Sequence, residues 1–109
     1  MLSEFEISPM PDGTGLKLVG ELDLMTTPEL SRALFDLSPH DISTLDLSEL
    51  RFVDSSGVQA ILTLAKSVNG NGPLVLLNPT EAVSRVLEIL GLDEHVDIRV
   101  ARVGASPPG

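Results

Sequence analysis

The apolar residues of this chain change period repeatedly, and the order of those changes limits the folds open to it. Phe5 and Ile7 alternate with Glu4, Glu6 and Ser8, the period-2 pattern of a half-buried strand. Residues 9–15 (PMPDGTG) read as a turn, with Pro fixing φ and Asp-Gly suiting a tight reversal. Residues 16–22 return as a second strand, so the chain is expected to open with a β-hairpin. Thr27-Pro28-Glu29 then predicts a helix start: Thr as cap, Pro in the first turn and Glu at the positive end. Leu30, Ala33, Leu34 and Leu37 supply its apolar stripe, and Ser38-Pro39 ends it.

Residues 42–47 read as a strand followed by a short loop. A second helix opens at Asp54-Ser55-Ser56-Gly57, with Val58, Ile61, Leu62, Ala65 and Val68 on one face, and residues 69–73 (NGNGP) end it. Leu74, Val75, Leu76 and Leu77 form a continuous apolar run, as in a central strand covered on both faces. In Asn78-Pro79-Thr80-Glu81, Asn is expected to cap a third helix with Pro at its first position and Glu at its third. Val83, Val86, Leu87 and Leu90 make its stripe, and Gly91 closes it. Residues 97–103 fit a last edge strand. The resulting ββαβαβα(β) order implies a single α/β domain over residues 1–104, with a mixed sheet opened by an antiparallel pair and a disordered tail at 105–109.

Composition narrows the function. Seven basic residues are scattered among sixteen acidic ones, for a net charge of −9. Polyanion binding draws on clustered Lys and Arg, so nucleic acid and anionic membrane are poor direct ligands. With three Phe and no Tyr or Trp, there is little material for stacking on bases. Cysteine is absent, which removes disulfide and thiolate chemistry. The first residues carry neither a basic nor an apolar leader pattern, and the 74–77 run is far too short to span a bilayer, so a cytoplasmic location is expected. No cofactor or metal is expected either. The Gly13-Thr14-Gly15 stretch precedes a strand and opens no helix, unlike a phosphate-binding loop.

The segment ending in Asp54-Ser55-Ser56-Gly57 places two hydroxyls and a carboxylate where a strand hands over to a helix, the rim at which open α/β sheets meet ligands and partners. Helix capping explains Asp54 and Ser55 simply. A phosphate acceptor is compatible with that, because unpaired helix amides and the helix dipole favour an added anion by typically ~0.3–1 kcal/mol. A serine hydrolase fits poorly: no Gly leads the serine as in a nucleophile elbow, and the candidate bases are loop residues, His40 and His95. A phosphoacceptor receiver fits no better, because no Lys follows Lys66 and the first strand carries no acidic pair for Mg²⁺.

Val53-Asp54-Ser55-Ser56-Gly57-Val58, preceded by Leu45-Asp46-Leu47-Ser48, resembles the signature of STAS domains of the anti-sigma-factor antagonist type. The stretch from Val19-Gly20-Glu21-Leu22-Asp23 to Thr27-Pro28-Glu29-Leu30 resembles the same family's second strand and helix entry. The resemblance implies that Ser55 is phosphorylated by a partner that is both anti-sigma factor and ATP-dependent serine kinase. The unphosphorylated chain would bind that partner and free a sigma factor, and a PP2C-type phosphatase would restore it. It further implies that Asp54 orients the acceptor and that Asp23 lies on the same rim. Ser56 would be a cap or secondary contact, and Gly57 would let another backbone approach. Val58-Gln59 departs from a more usual Leu-Gly and leaves the acceptor in place. The same fold could instead serve as an adaptor docking on a transporter or a larger signalling complex, without a phosphorylation cycle. In neither case is the chain expected to be an enzyme.

Overall fold

The computed structural model describes residues 5–36, 42–68 and 72–103. Its elements run β1 (Glu6–Pro9), β2 (Gly15–Leu22), α1 (Thr27–Asp36), β3 (Thr44–Val53), α2 (Ser55–Ser67), β4 (Leu74–Leu77), α3 (Glu81–Ile89), a 3₁₀ turn (Leu92–Glu94) and β5 (Ile98–Ala101). The strands form one sheet in sequential order, β1-β2-β3-β4-β5. β1 and β2 are antiparallel, as the opening hairpin predicts, and the three remaining pairs are parallel. The expected end of α1 at Leu37 and Ser38-Pro39, the 69–71 part of the α2 terminator and the 105–109 tail lie outside the described residues.

Register explains which residues are buried. Leu16, Leu45 and Leu76 are aligned across three strands and are all buried, as are the paired Leu74 and Ile98. Their neighbours Lys17, Asp46, Leu77 and Ala101 align on the opposite face and stay half-buried. The strand residues of the covered face join Leu30 of α1, Val58, Ile61, Leu64 and Ala65 of α2, and Val83 and Leu87 of α3 in one core. β4 is therefore central in the sheet but covered on one face only: Val75 and Leu77 are half-buried, contrary to the expectation from its unbroken apolar run.

β3 is longer than expected, because residues 48–53 continue it where the sequence pattern suggests a loop. The buried positions Leu45, Leu47, Leu50 and Val53 step by two and then twice by three. Two register shifts against β2, between Lys17 and Val19 and between Gly20 and Glu21, each add one residue to β3. Bulges of this kind keep the same face inward while breaking the period-2 signal. Only Thr44, Leu45 and Asp46 pair with β4, so β3 overhangs it and carries Asp54 beyond the β4 end. The Thr80 hydroxyl donates to the Leu50 carbonyl on this overhang at 2.9 Å.

Four helix details also differ from expectation. Leu64 is fully part of the α2 stripe, whereas Leu62 is only partly buried. The α3 cap is Thr80, which accepts from the Val83 amide at 3.4 Å. Asn78 sits two residues earlier in a left-handed conformation (φ 51°), and its side-chain oxygen instead accepts from the Val103 amide at 2.8 Å. Thr27 is the first residue of α1 rather than its cap, and its hydroxyl donates back to the Leu24 carbonyl at 3.5 Å. Leu90 is 49% exposed at the α3 end, and Gly91 closes that helix at φ 77° as anticipated.

Candidate functional site

β2 and β3 end side by side, and both chains turn there into loops that touch. The Asp54 amide donates to the Leu22 carbonyl at 3.2 Å, which fixes the exit of β3 against the exit of β2. Asp54 has extended backbone angles (φ −108°, ψ −174°) and is the N-cap of α2. One of its carboxylate oxygens accepts from the Gly57 amide at 3.0 Å. The other accepts from the Leu24 amide at 3.3 Å, across the rim. Asp54 thus closes the helix end and ties the β2–α1 turn to it.

The close approach at this junction requires Gly57. A Cβ built there would lie 2.5 Å from the Leu22 carbonyl oxygen and 2.6 Å from Val53 Cγ2. Gly57 is buried, Ser56 is half-buried, and Ser55 is exposed. The Ser55 hydroxyl takes part in no hydrogen bond among the described residues. It is the first residue of the helix, at the positive end of the dipole. No acidic residue occupies the first turn of α2, whereas α1 has Glu29 there and α3 has Glu81.

Asp23 is on the same rim, one residue beyond β2, but its carboxylate is engaged locally. Its Oδ1 accepts from the Met25 amide at 2.9 Å, the Thr26 amide at 3.1 Å and the Thr26 hydroxyl at 3.2 Å. Thr26 is the buried polar residue of this turn; its one hydroxyl hydrogen is shared between Asp23 Oδ1 and the Glu21 carbonyl, the latter at 2.8 Å, and its oxygen accepts from the Asp23 amide at 2.9 Å. Asp23 therefore shapes the turn. Asp54 likewise reaches backbone amides rather than the Ser55 hydroxyl. All five residues singled out in the sequence, Asp23, Asp54, Ser55, Ser56 and Gly57, lie at this one junction.

Sequence periodicity does not single out Leu24 and Met25. They are 70% and 81% exposed, held in a turn whose Leu24 amide is bonded to Asp54, the residue before Ser55. The signal available is a pair of large apolar residues between a strand end and a helix start, outside any core periodicity. His95, one of the two candidate bases for hydrolysis, precedes β5 at the opposite end of the parallel strands, and its Nδ1 accepts from the Asp97 amide at 3.1 Å. His40 lies outside the described residues. Among the described residues, no group of three acidic or histidine side chains could hold a metal ion, and no helix is long and apolar enough to cross a membrane.

Comparison with known proteins identifies the family and the fold. A family profile described as Mlab, STAS domain matches residues 8–100. The chain is 31% identical over 87 residues to the anti-sigma-B factor antagonist of Staphylococcus epidermidis, covering 76% of this chain and 80% of that one. Its fold is similar to that of the anti-sigma factor antagonist SpoIIAA in its unphosphorylated form, with a TM-score of 0.64 at 26% identity, over 89% of this chain and 87% of the other. The Bacillus cell fate determinant SpoIIAA in its phosphorylated form is similar with a TM-score of 0.52 at 25% identity, over 89% of this chain and 90% of the other. The chain belongs to the STAS domain family, among proteins of the anti-sigma-factor antagonist type.

Proposed function

We propose that this chain is an anti-sigma-factor antagonist whose docking rim is switched off by phosphorylation of Ser55. In its unphosphorylated form it binds an anti-sigma factor that is also an ATP-dependent serine kinase, and a sigma factor is released. A PP2C-type phosphatase removes the phosphate and restores binding. The observation that carries this reading is the Ser55 hydroxyl, exposed at a helix N-terminus and free of hydrogen bonds among the described residues. That two structures of SpoIIAA are described as its unphosphorylated and phosphorylated forms supports it.

The chemistry asks little of the chain itself. The partner supplies ATP and the transfer machinery, and Ser55 supplies a nucleophilic oxygen: the Ser55 Oγ–P bond forms as the bond from the γ-phosphorus to the bridging oxygen breaks, ADP leaves, and the hydroxyl proton passes to a base of the partner. The product carries about −1.5 to −2 charges at neutral pH. At the start of α2 these charges face water and free amides, so the domain stays folded. Against a docked partner they must be desolvated, and a penalty of about 3 kcal/mol lowers affinity roughly 100-fold.

The test is binding of the unphosphorylated chain to the purified ATPase-fold anti-sigma factors of its source organism, followed by release of sigma factor. Ser55→Ala is expected to bind one of them as the wild type does, and Ser55→Glu to bind at least about tenfold more weakly. Binding that is indifferent to Ser55→Glu would refute the switch and favour a plain adaptor.

A further inference from the structure

Leu24 and Met25 form an apolar pair that no described residue covers. Each exposes most of its surface, 70% and 81% respectively. Burying such side chains is favourable, so exposed neighbours of this kind on an ordered turn mark a docking surface more often than a random scatter does. The turn is ordered: Asp23 holds the Met25 and Thr26 amides, and Asp54 holds the Leu24 amide. Both side chains are thus presented with the backbone already fixed, which lowers the entropy lost on binding. Two apolar residues with still greater exposure do not share this setting. Phe35, at 89% exposure, is near the far end of α1, and Val96, at 86%, precedes β5 at the opposite end of the sheet.

Resting on the proposed role of Ser55, we infer that Leu24 and Met25 are the apolar anchor by which the anti-sigma factor kinase docks before phosphoryl transfer. The support is continuity. The Leu24 amide is 3.3 Å from the carboxylate of Asp54, the residue before Ser55. A kinase that brings a γ-phosphate to the Ser55 hydroxyl must also exclude water around it, and in doing so covers the adjoining turn. Charge completes the description of the partner: with Asp23 and Asp54 flanking the pair on a chain of net charge −9, the matching surface is an apolar cleft edged by hydrogen-bond donors or basic groups. The same contact explains why a phosphate would be effective there. A dianion placed beside a dewetted apolar contact cannot keep its hydration.

The inference is tested by steady-state phosphorylation of the full chain with ATP and the purified ATPase-fold anti-sigma factors, comparing wild type with the double variant Leu24→Ser, Met25→Ser and with Met25→Lys alone. Truncating two central anchors is expected to raise KM for the chain at least about tenfold with kcat changed less than about twofold. The thermal midpoint should stay within a few degrees of wild type, since neither side chain belongs to the core. An unchanged KM in both variants, with the wild type phosphorylated on Ser55, overturns the anchor and leaves the phosphorylation reading standing. A loss in kcat alone overturns it too, because that result assigns the pair to the transfer step. A wild type that is neither bound nor phosphorylated overturns both.

Discussion

The N-termini of α2 and α3 are built on one plan at the same end of the sheet. In each, the cap side chain accepts from the amide of the third helical residue: Asp54 from Gly57 at 3.0 Å, and Thr80 from Val83 at 3.4 Å. In each, the cap residue also reaches a neighbouring segment, Asp54 to the Leu24 amide and Thr80 to the Leu50 carbonyl. The difference lies in the first helical turn. α3 places Glu81 at its first position, paired with Arg85 one turn on at 3.2 Å, and Val83 in the core. α2 places an exposed hydroxyl at its first position and a glycine, pressed against the β2 end, at its third. Capping alone therefore says nothing about function, since both helices have it. What distinguishes α2 is a first position left without a charge, on a junction so tight that two loops meet there.

That contrast can be broken most forcefully at Gly57. Gly57→Ala brings a methyl group to 2.5 Å from the Leu22 carbonyl oxygen. The expected loss is about 2–3 kcal/mol, a fall in thermal midpoint of roughly 10 °C or more. A midpoint within a degree or two of wild type would mean that the β2–α2 contact is looser than described. Removing the caps comes next. Asp54→Ala is expected to cost about 1–2 kcal/mol and Thr80→Ala about 1 kcal/mol by urea unfolding. Only the Asp54 variant should also speed hydrogen exchange at the Leu24 amide, because only that cap crosses the rim.

The first helical positions should matter less to stability than the caps. Ser55→Glu is expected to change unfolding free energy by no more than about 0.5 kcal/mol, since the favourable dipole is offset by the adjacent Asp54 carboxylate. A loss approaching that of Gly57→Ala would assign Ser55 to the packing of the junction. The smallest effect is far from both helices, in the hairpin turn. The Thr14 hydroxyl and amide, at 2.7 and 3.0 Å, hold the Asp12 carboxyl below its ordinary value. A carboxylate with a folded pKa below the unfolded one stabilises at neutral pH, and the contribution disappears as pH falls through the lowered value. The thermal midpoints of wild type and Asp12→Asn should therefore differ slightly at pH 7 and converge in acid; a difference that widens in acid would reverse the sign.

Much of this architecture is legible in the sequence. The hairpin at 9–15, the β-α alternation and the junction at Asp54 all follow from period changes and from Pro, Gly and Asp placement. Where the pattern misleads, the cause is physical. Two bulges give Leu45, Leu47, Leu50 and Val53 a spacing that resembles neither strand nor helix, so half of β3 reads as loop. Asn78 and Thr80 are both good cap residues, and only the left-handed backbone at Asn78 decides between them. At the site, residue identity reveals Ser55 but not its surroundings. That Asp23 and Asp54 reach backbone amides, and that their grip leaves Leu24 and Met25 projecting, depends on a contact between segments thirty residues apart.

The central claim is tested most directly by incubating the full chain with ATP and a purified ATPase-fold anti-sigma factor from its own organism, then reading intact mass and mapping the modified peptide. The account predicts a single added phosphate on Ser55, none on Ser55→Ala, and an unchanged fold by circular dichroism. A phosphate mapped to Ser56 or elsewhere, or a chain that unfolds once Ser55 is modified, would contradict it.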